Sequence, residues 1–234
     1  MLNEFSRTEL LLGKDGVEKL KKSSVAVFGV GGVGSYIAEG LVRSGIGKIT
    51  LVDNDTVNIT NINRQLIALH STMDRLKVDA ARERLLDINP KLEIQTYDCF
   101  YTGSEVELYG FDYIADAIDS VRAKVSLIEN AYRLGVPIIS SMGTGNKLDP
   151  TKLVVTDINK TQMCPLAKVL RYELRKRSVK KLKVVYSTEQ PCPHKEESEE
   201  TGGNRKTIGS VSFVPSVAGL IIAGEIVKDI LKCK

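Results

Sequence analysis

The sequence lacks the features of membrane, secreted and zinc-binding proteins. Its 234 residues contain no uncharged apolar run of about 18 residues and no basic opening segment followed by an apolar one, so we expect neither a membrane span nor a signal peptide. The four cysteines are scattered without a Cys-x-x-Cys pair, which argues against a disulfide framework and a four-thiolate zinc site. We therefore predict a cytoplasmic protein with reduced thiols.

Net charge and histidine are also scarce. A formal net charge of +4 is too small to predict nucleic-acid binding unless basic residues cluster locally. Histidine occurs twice, at His70 and His194. With 42% hydrophobic and 26% charged residues, the chain can bury a sizeable core, and its length favours one domain or at most two.

A glycine-rich turn stands near the start of the chain. The Gly-x-Gly-x-x-Gly spacing is formed by Gly29, Gly31 and Gly34, with Gly32 inside it. Glycine permits the tight turn and lets backbone N–H groups reach phosphate oxygens at a helix N-terminus. The next predicted strand ends at Asp53, whose carboxylate can accept hydrogen bonds from ribose hydroxyls. These features predict a nucleotide site, whereas an ordinary tight turn between strand and helix is the alternative.

Strand and helix patterns alternate along the chain, which predicts a Rossmann-like α/β fold. Strands are predicted at Ser24–Phe28, Lys48–Val52, Leu92–Tyr97, Tyr113–Ile118, Pro137–Ser141, Leu153–Ile158 and Leu182–Thr188. Helices are predicted at Ser35–Ser44, Lys77–Asn89, Val121–Leu134, Pro165–Arg177 and Ser216–Leu231. Such alternation builds a doubly wound, mostly parallel sheet, here with a C-terminal antiparallel extension.

We expect a single domain with two functional parts. Residues 1–145 would form the nucleotide-binding core, and residues 146–234 would form an extension on the substrate side. Within that extension, Glu189–Thr207 is polar and rich in Pro, Gly and Glu, which predicts a mobile loop.

Charged residues beyond the glycines bear on the kind of nucleotide. A triphosphate needs cationic side chains and usually Mg²⁺, whereas backbone N–H groups largely satisfy a dinucleotide's pyrophosphate. Arg64 and Lys77 could supply the cations, and Asp119, at the end of the fourth predicted strand, could hold the metal. Taken singly, each of these residues has a simpler interpretation. Arg64 and Lys77 could be solvated surface charges, and Asp119 could cap the helix that begins at Val121. Asn61, which precedes Arg64, could merely fix a turn.

Taken together, these motifs resemble the superfamily of ubiquitin-activating and sulfur-carrier-activating (ThiF-like) adenylyltransferases. The matching positions are Arg7, the glycine-rich turn, Asp53-x-Asp55-x-Val57, Asn61-x-x-Arg64-Gln65, Lys77 and Asp119. The resemblance implies that residues 1–234 form a single adenylation domain. In such a domain a substrate carboxylate attacks the α-phosphorus of ATP and yields an acyl-adenylate and pyrophosphate. A carboxylate is already ionised at pH 7, so the scarcity of histidine does not count against such catalysis.

The resemblance also implies roles for individual residues. Asp53 would bind the ribose and Asp119 the Mg²⁺, while Asn61, Arg64 and Lys77 would bind the phosphates. Nucleotide-binding positions would be Gly29, Gly31, Gly32, Gly34, Asp53, Asp55, Asn61, Arg64 and Lys77. Catalytic positions would be Arg7, Arg64, Lys77 and Asp119. Arg7 would reach the phosphates of a partner subunit, which implies a homodimer.

The second half resembles one branch of this superfamily, the tRNA threonylcarbamoyladenosine dehydratases. The resemblance lies in Ser140–Thr161, in Cys164-Pro-Leu-Ala and in Val185–Glu189, whereas the acidic linker at Glu196–Glu200 departs from it. Members activate the threonyl carboxylate of a modified adenosine next to the anticodon, which then cyclises. Two alternatives stay open: activation of a ubiquitin-like sulfur carrier ending in Gly-Gly, and a nicotinamide-dependent oxidoreductase or nucleotide-sensing module.

A basic cluster in the second half would suit a tRNA substrate. Its members are Lys168, Arg171, Arg175, Lys176, Arg177, Lys180, Lys181 and Lys183. The spacing of Lys168, Arg171 and Arg175 places them on one helical face, and we predict that they contact tRNA phosphates. A solvated helix face is the alternative. Cys192 could capture an activated group, although an incidental cysteine is the simpler interpretation.

Overall fold

The computed structural model describes residues 2–193, 195 and 208–233. Its strands are β1 Ser24–Phe28, β2 Lys48–Val52, β3 Glu93–Tyr97, β4 Tyr113–Asp116, β5 Ile138–Ser141, β6 Leu153–Asp157 and β7 Lys183–Ser187. Its α-helices are α1 Ser6–Lys22, α2 Gly34–Ser44, α3 Lys77–Ile88, α4 Val121–Leu134, α5 Pro165–Lys176 and α6 Phe213–Leu231. Short 3₁₀ turns occur at Ile59–Asn61, His70–Thr72, Pro150–Lys152 and Ile158–Lys160.

The seven strands form one sheet in the order β3-β2-β1-β4-β5-β7-β6. All neighbouring pairs are parallel except β6 with β7, which are antiparallel. The predicted fold class is thereby confirmed, including the antiparallel extension. The chain leaves β1 toward β2 on one side and returns to β4 on the other. Ligands of open α/β sheets bind at such a reversal, beyond the carboxyl ends of the strands.

The core is densest around the central strand β1, whose residues Val25–Phe28 are fully buried. Helices α2 and α6 cross closely on one face of the sheet because glycine lies at their contact. A Cβ on Gly219 would lie 2.5 Å from the carbonyl oxygen of Val33, and a Cβ on Gly40 would lie 2.9 Å from the side chain of Ala223. This close crossing anchors the start of α2, which follows the glycine-rich turn.

The N-terminal helix α1 continues past a glycine. It carries Arg7 and runs from Ser6 to Lys22 with a kink at Gly13. Gly13 has φ 73°, and the helix resumes because Val17 and Leu20 are buried against the core. Tertiary packing thus extends a helix past a residue that disfavours it.

Other boundaries differ from prediction by three residues at most. β4 ends at Asp116, two residues early, and α6 begins at Phe213, three residues early. Of the predicted mobile loop Glu189–Thr207, residues 194 and 196–207 lie outside the described residues, as does the linker Glu196–Glu200. Within the described ranges, no helix is long and apolar enough to cross a membrane.

Candidate functional site

A cavity of about 690 Å³ opens at the carboxyl edge of the sheet beside β1 and β4. It brings together most of the residues predicted from the sequence. Its lining includes Gly29, Gly31, Gly32, Asp53, Asp55, Asn61, Arg64, Lys77 and Asp119. Gly34 underlies the turn, whereas Arg7, Lys168, Arg171 and Arg175 do not line the cavity. The predicted nucleotide-binding residues other than Gly34 therefore line one cavity, whereas the predictions for Arg7 and for tRNA binding concern other surfaces.

The glycine-rich turn has no room for side chains at two positions. Gly29 has φ 86°, and a Cβ there would lie 2.7 Å from the carbonyl oxygen of Ala117. A Cβ on Gly34 would lie 1.7 Å from the carbonyl oxygen of Gly29. No side chain caps the N-terminus of α2. The backbone N–H groups of Ser35 and Tyr36 donate to the carbonyl oxygens of Gly31 and Val33, whereas those of residues 31–34 donate to no group among the described residues, so they can bind an anion.

Asp53 ties the end of β2 to this turn. Its carboxylate accepts hydrogen bonds from the backbone N–H of Val30 at 2.6 Å and of Asp55 at 2.9 Å. Burial raises the pKa of Asp53 above its ordinary value, and the nearby Lys77 ammonium and the two N–H groups only partly offset that rise. Each oxygen keeps a lone pair, so the carboxylate can still accept a hydrogen bond from a ribose hydroxyl.

Lys77 brings a positive charge to the same wall. Its Nζ lies 2.6 Å from the Asp55 carboxylate and 4.0 Å from that of Asp53. The Lys77 side chain is 7% exposed, whereas that of Asp55 is 60% exposed. An anionic ligand can therefore compete with the solvent-exposed Asp55 carboxylate for an ammonium that is itself buried.

Arg64 and Asn61 lie on the turn that follows Asp55. Arg64 Nη1 donates to the carbonyl oxygen of Thr60 at 2.9 Å and to Asn63 Oδ1 at 3.0 Å. Asn61 Oδ1 accepts from the backbone N–H of Asn58 at 3.1 Å and closes a capping box. Asn61 thus fixes a turn, which is its simpler interpretation, while also lining the cavity.

Gln65 is a cavity residue whose site role was not predicted from the sequence, although it belongs to the quoted motif. It is 6% exposed, and its Oε1 is the one buried side-chain N or O atom without a hydrogen-bond partner among the described residues. An unpaired buried acceptor costs about 1–3 kcal/mol, so a ligand or water that donates to it would be favoured.

Asp119 lies three residues beyond the end of β4, exposed at the cavity wall. Helix α4 has Ser120 as its N-cap and no side-chain cap bond, so Asp119 does not cap it. The described part of the chain provides no hydrogen bond or ion pair to its carboxylate, and it contains no group of three or more His, Cys, Asp or Glu residues placed to hold a metal. One free carboxylate suits Mg²⁺, which binds through one or two carboxylates together with phosphates and water.

A fully buried ion pair, the sealed pair Lys124–Asp116, lies beneath the cavity wall and was not predicted from the sequence. Lys124 Nζ lies 2.7 Å from the Asp116 carboxylate, and both side chains are 0% exposed. The ammonium also donates to Ser140 Oγ at 3.2 Å and to the Ser141 carbonyl at 3.0 Å. Asp116 in turn accepts from the backbone N–H of Ile118 at 3.1 Å. The pair thus ties α4 to the carboxyl ends of β4 and β5, from which the loops that line the cavity start.

The far wall consists of residues 141–145 and the segment 208–210. Gly209 exchanges two hydrogen bonds with Asn146, at 2.7 Å and 2.8 Å. Asn63 Nδ2 donates to the Ser210 carbonyl at 3.0 Å. A Cβ on Gly145 would lie 2.1 Å from Ile208, so glycine permits this close approach. Residues 141–145 and 208–210 therefore close the side of the cavity that faces the predicted nucleotide-binding residues.

The predicted tRNA-binding residues lie on α5, whose Leu166 lines the cavity. Lys168 and Arg175 are exposed. Arg171 is only partly exposed: its Nη1 donates to the Thr161 carbonyl at 3.1 Å and to the Thr161 hydroxyl. Arg171 therefore already supports the turn before α5, whereas the other two present their charges to solvent.

Glutamates neutralise another part of the basic cluster. Lys176 lies 3.2 Å and Arg177 lies 2.8 Å from Glu173, and Arg177 also lies 3.1 Å from Glu129. These two cations therefore add less to the positive surface than their number suggests.

Arg7 and Cys192 lie away from the nucleotide residues. Arg7 is exposed on the first turn of α1, and the described residues offer it no hydrogen bond or ion pair. Cys192 Sγ lies 3.6 Å from Glu189 Oε1, so the thiol neighbours an anion, whereas reactive thiols sit beside cations.

Comparison with known proteins places these observations in context. The sequence model of the ThiF family matches residues 5–234. A tRNA threonylcarbamoyladenosine dehydratase of Bacillus subtilis (strain 168) is 48% identical over 244 residues, covering 99% of this chain and 96% of that protein. Among solved structures, the Escherichia coli tRNA N6-threonylcarbamoyladenosine dehydratase TcdA in complex with ATP matches with a TM-score of 0.88 and 34% identity, over 98% of this chain and 94% of that one.

A more distant relative is the adenylyltransferase and sulfurtransferase UBA4 of Vanderwaltozyma polyspora. It is 34% identical over 154 residues, which cover 62% of this chain and 35% of that protein.

Proposed function

This chain belongs to the ThiF family, and on that premise we propose that it is an ATP-dependent tRNA threonylcarbamoyladenosine dehydratase. The observation that carries the proposal is the 48% identity to a protein of that name over nearly the whole length of both chains. The cavity supports the proposal, because the glycine-rich turn, Asp53 and the cations of Arg64 and Lys77 all line it. Such glycines are suited to binding phosphate, and an aspartate at this position is suited to binding ribose. The similar Escherichia coli protein has been crystallised with ATP.

The reaction begins with activation of a carboxylate. An oxygen of the threonyl carboxylate attacks the α-phosphorus of ATP, and the bond from that phosphorus to the bridging oxygen of the β-phosphate breaks, releasing pyrophosphate. An internal nucleophile of the threonylcarbamoyl group then displaces AMP from the activated carbonyl and closes a ring. The oxygen lost by the substrate leaves with AMP, so the substrate is dehydrated overall.

The chain's own residues supply charge and position. Lys77 and Arg64 would balance the negative charge that accumulates on the phosphate oxygens as two anions approach, and such fixed charges are each worth a few kcal/mol in similar reactions. Asp53 would hold the ribose, and the N–H groups at the start of α2 would hold a phosphate. The adenylation step needs no general base, because the attacking carboxylate is ionised; the proton that the internal nucleophile loses on ring closure passes to solvent.

Magnesium is part of the proposal, with Asp119 as its protein ligand. The carboxylate is exposed at the cavity wall, and it has no partner within the described ranges. A bound Mg²⁺ would supply further positive charge to the phosphates. We expect Asp119→Ala to abolish adenylation in a protein that still folds; normal ATP turnover in the folded variant would remove Asp119 from this role.

A homodimer with Arg7 acting across the interface is the proposed assembly. Arg7 does not line the cavity, and the exposed Leu10 and Leu11 beside it on α1 are 84% and 88% exposed. A neighbouring subunit would cover those leucines and could bring its Arg7 to this site.

Subunit mixing tests that assembly. Arg7→Ala and Asp119→Ala homodimers should each be nearly inactive, while their mixture should recover activity at the one site that keeps an intact Asp119 and the partner's intact Arg7. No recovery after confirmed subunit exchange would show that Arg7 does not act in trans.

The tRNA substrate would meet the cations of α5. Lys168 and Arg175 are exposed and Arg171 partly so, and their contacts with phosphates would make binding weaken steeply with salt. The cytoplasm remains the expected location, since tRNA substrates are found there.

One assay separates this function from its alternatives. ATP is supplied with tRNA that carries threonylcarbamoyladenosine, with the same tRNA lacking the modification, and with a sulfur carrier ending in Gly-Gly. We expect AMP and pyrophosphate to form only with the modified tRNA. Release that depends on the carrier protein, as the distant UBA4 similarity would favour, would overturn the proposal.

A further inference from the structure

Helix α5 presents an exposed aromatic ring between exposed cations. Tyr172 is 62% exposed. Lys168 lies four residues before it and Arg175 three residues after it, so all three share one helical face. Neither cation has an ion-pair partner within the described ranges, in contrast to Lys176, which pairs with Glu173. The face therefore combines an aromatic surface with unneutralised positive charge.

Apolar side chains extend this face toward the cavity. Val169 is 45% exposed and Met163, two residues before α5, is 56% exposed. Leu166 lines the cavity itself. At a rise of 1.5 Å per residue, Tyr172 lies about 9 Å along the helix axis from Leu166. One ligand could therefore contact both the cavity mouth at Leu166 and the α5 face at Tyr172.

We propose that Tyr172 stacks against an unpaired nucleobase of the RNA loop that presents the reacting nucleotide. The inference rests on the proposed tRNA substrate and adds a base-binding surface to it. RNA loops are recognised through bases stacked on aromatic side chains while neighbouring cations hold the backbone. Lys176 Nζ lies 4.0 Å from the centroid of the Tyr172 ring and so orders one side of it, which leaves the other face for the base.

Charge complementarity favours RNA over a second copy of this chain as the occupant. A symmetric contact through this face would place Lys168 and Arg175 against the same residues of the partner. Like charges facing each other disfavour such a contact, whereas phosphates would neutralise them. The tyrosine then provides the part of the binding that does not depend on charge.

The test measures binding of threonylcarbamoyladenosine-containing tRNA to Tyr172→Leu and Tyr172→Phe variants over a range of salt concentrations. Loss of one stacked base should weaken tRNA binding by Tyr172→Leu about 5- to 100-fold and raise the KM for tRNA similarly. Tyr172→Phe keeps the ring and should restore both values to within about twofold of the wild type. The salt slope should stay unchanged in both variants, whereas Lys168→Gln should lower it by about 1.

Tyr109 provides the matched control. It is 79% exposed, precedes β4 and does not line the cavity, so Tyr109→Leu should bind tRNA like the wild type. Wild-type affinity and KM in Tyr172→Leu would overturn the inference, as would failure of Tyr172→Phe to restore them. A changed oligomeric state of Tyr172→Leu in sedimentation would assign the face to self-association instead. If the wild type itself forms no AMP with the modified tRNA, it is the proposed function that fails.

Discussion

Two lysine–aspartate pairs of nearly equal length lie in opposite surroundings. Lys124 and Asp116 are 2.7 Å apart with both side chains 0% exposed, whereas Lys77 and Asp55 are 2.6 Å apart with Asp55 60% exposed. The sealed pair cannot exchange its partners, so it can only hold α4 against the ends of β4 and β5 beside the cavity. Lys77 and Asp55 form the open pair: the lysine is buried and the aspartate is exposed to solvent, so a phosphate can take the position of the Asp55 carboxylate. Equal distance therefore does not imply equal function.

The largest expected effect comes from breaking the sealed pair. Lys124→Met would leave the Asp116 carboxylate buried without its counter-ion and should lower the free energy of unfolding by about 3–5 kcal/mol. Denaturant unfolding measures this loss. Because the single variant could fail to fold, Lys124→Met combined with Asp116→Asn is made in parallel; it removes the buried charge and should recover more than half of the stability. Equal stability of the wild type and Lys124→Met would contradict the comparison.

Breaking the open pair should affect catalysis instead of folding. Lys77→Met removes the cation that we propose binds the phosphates and should slow adenylate formation about 100- to 1000-fold, while the free energy of unfolding changes by no more than about 1 kcal/mol. Lys48→Met is the matched control, because Lys48 forms a solvent-exposed pair with Glu93 at 3.0 Å and such pairs contribute little. If Lys77→Met lost stability as Lys124→Met does, the open pair would be structural as well.

This contrast also shows how far the sequence alone leads. The strand and helix pattern predicts the sheet, and the glycine spacing and Asp53 predict a nucleotide site because they stand at the ends of predicted strands. The roles of Arg64, Lys77 and Asp119 come instead from the family resemblance, because each of them taken singly has a simpler interpretation. Lys124 was missed, because a lysine in a helix is ordinarily a solvated residue and only the packing of α4 on β4 and β5 buries it. Gln65 was not assigned a role for a related reason, since an unpaired acceptor is visible only when its surroundings are known.

ATP should distinguish the pairs by how much it stabilises each variant. A ligand present at 100 times its Kd raises the free energy of unfolding by about 2.7 kcal/mol. If Lys77→Met weakens ATP binding tenfold, the same ATP concentration should stabilise that variant by about 1.4 kcal/mol less than the wild type. The double variant at Lys124 and Asp116 should keep nearly the full increase, because neither side chain lines the cavity. Thermal or chemical unfolding with and without ATP measures the difference; an equal increase in the Lys77 variant would separate Lys77 from the phosphates.

The smallest expected effect on the free energy of unfolding concerns a third ionic cluster, whose solvent exposure is intermediate between that of the sealed pair and that of the open pair. Glu39 has a 10% exposed side chain and lies 2.7 Å from Arg43 and 2.8 Å from Arg84, which are 57% and 38% exposed. Burial pushes the pKa of Glu39 upward, but the hydrogen bonds from Arg84 and Arg43 outweigh it and hold the pKa below its ordinary value of 4.5. A lowered pKa in the folded state means that the ionised carboxylate stabilises the protein above about pH 4.5 and that this contribution disappears as the pH falls through the folded-state pKa.

Glu39→Gln should therefore cost about 1 kcal/mol or less at pH 7, and the difference from the wild type should shrink on acidification below pH 4.5. Unfolding curves of both proteins between pH 3 and 7 measure this, with 1 M salt as a further condition. Salt should reduce the cost of Glu39→Gln, because both arginines are partly in solvent, but should leave the cost of Lys124→Met nearly unchanged, because no ion reaches the sealed pair. If the loss in free energy of unfolding caused by Glu39→Gln depended on neither pH nor salt, the Glu39 cluster would behave like the sealed pair. The exposure of the two arginines would then not determine how such ion pairs respond to solvent.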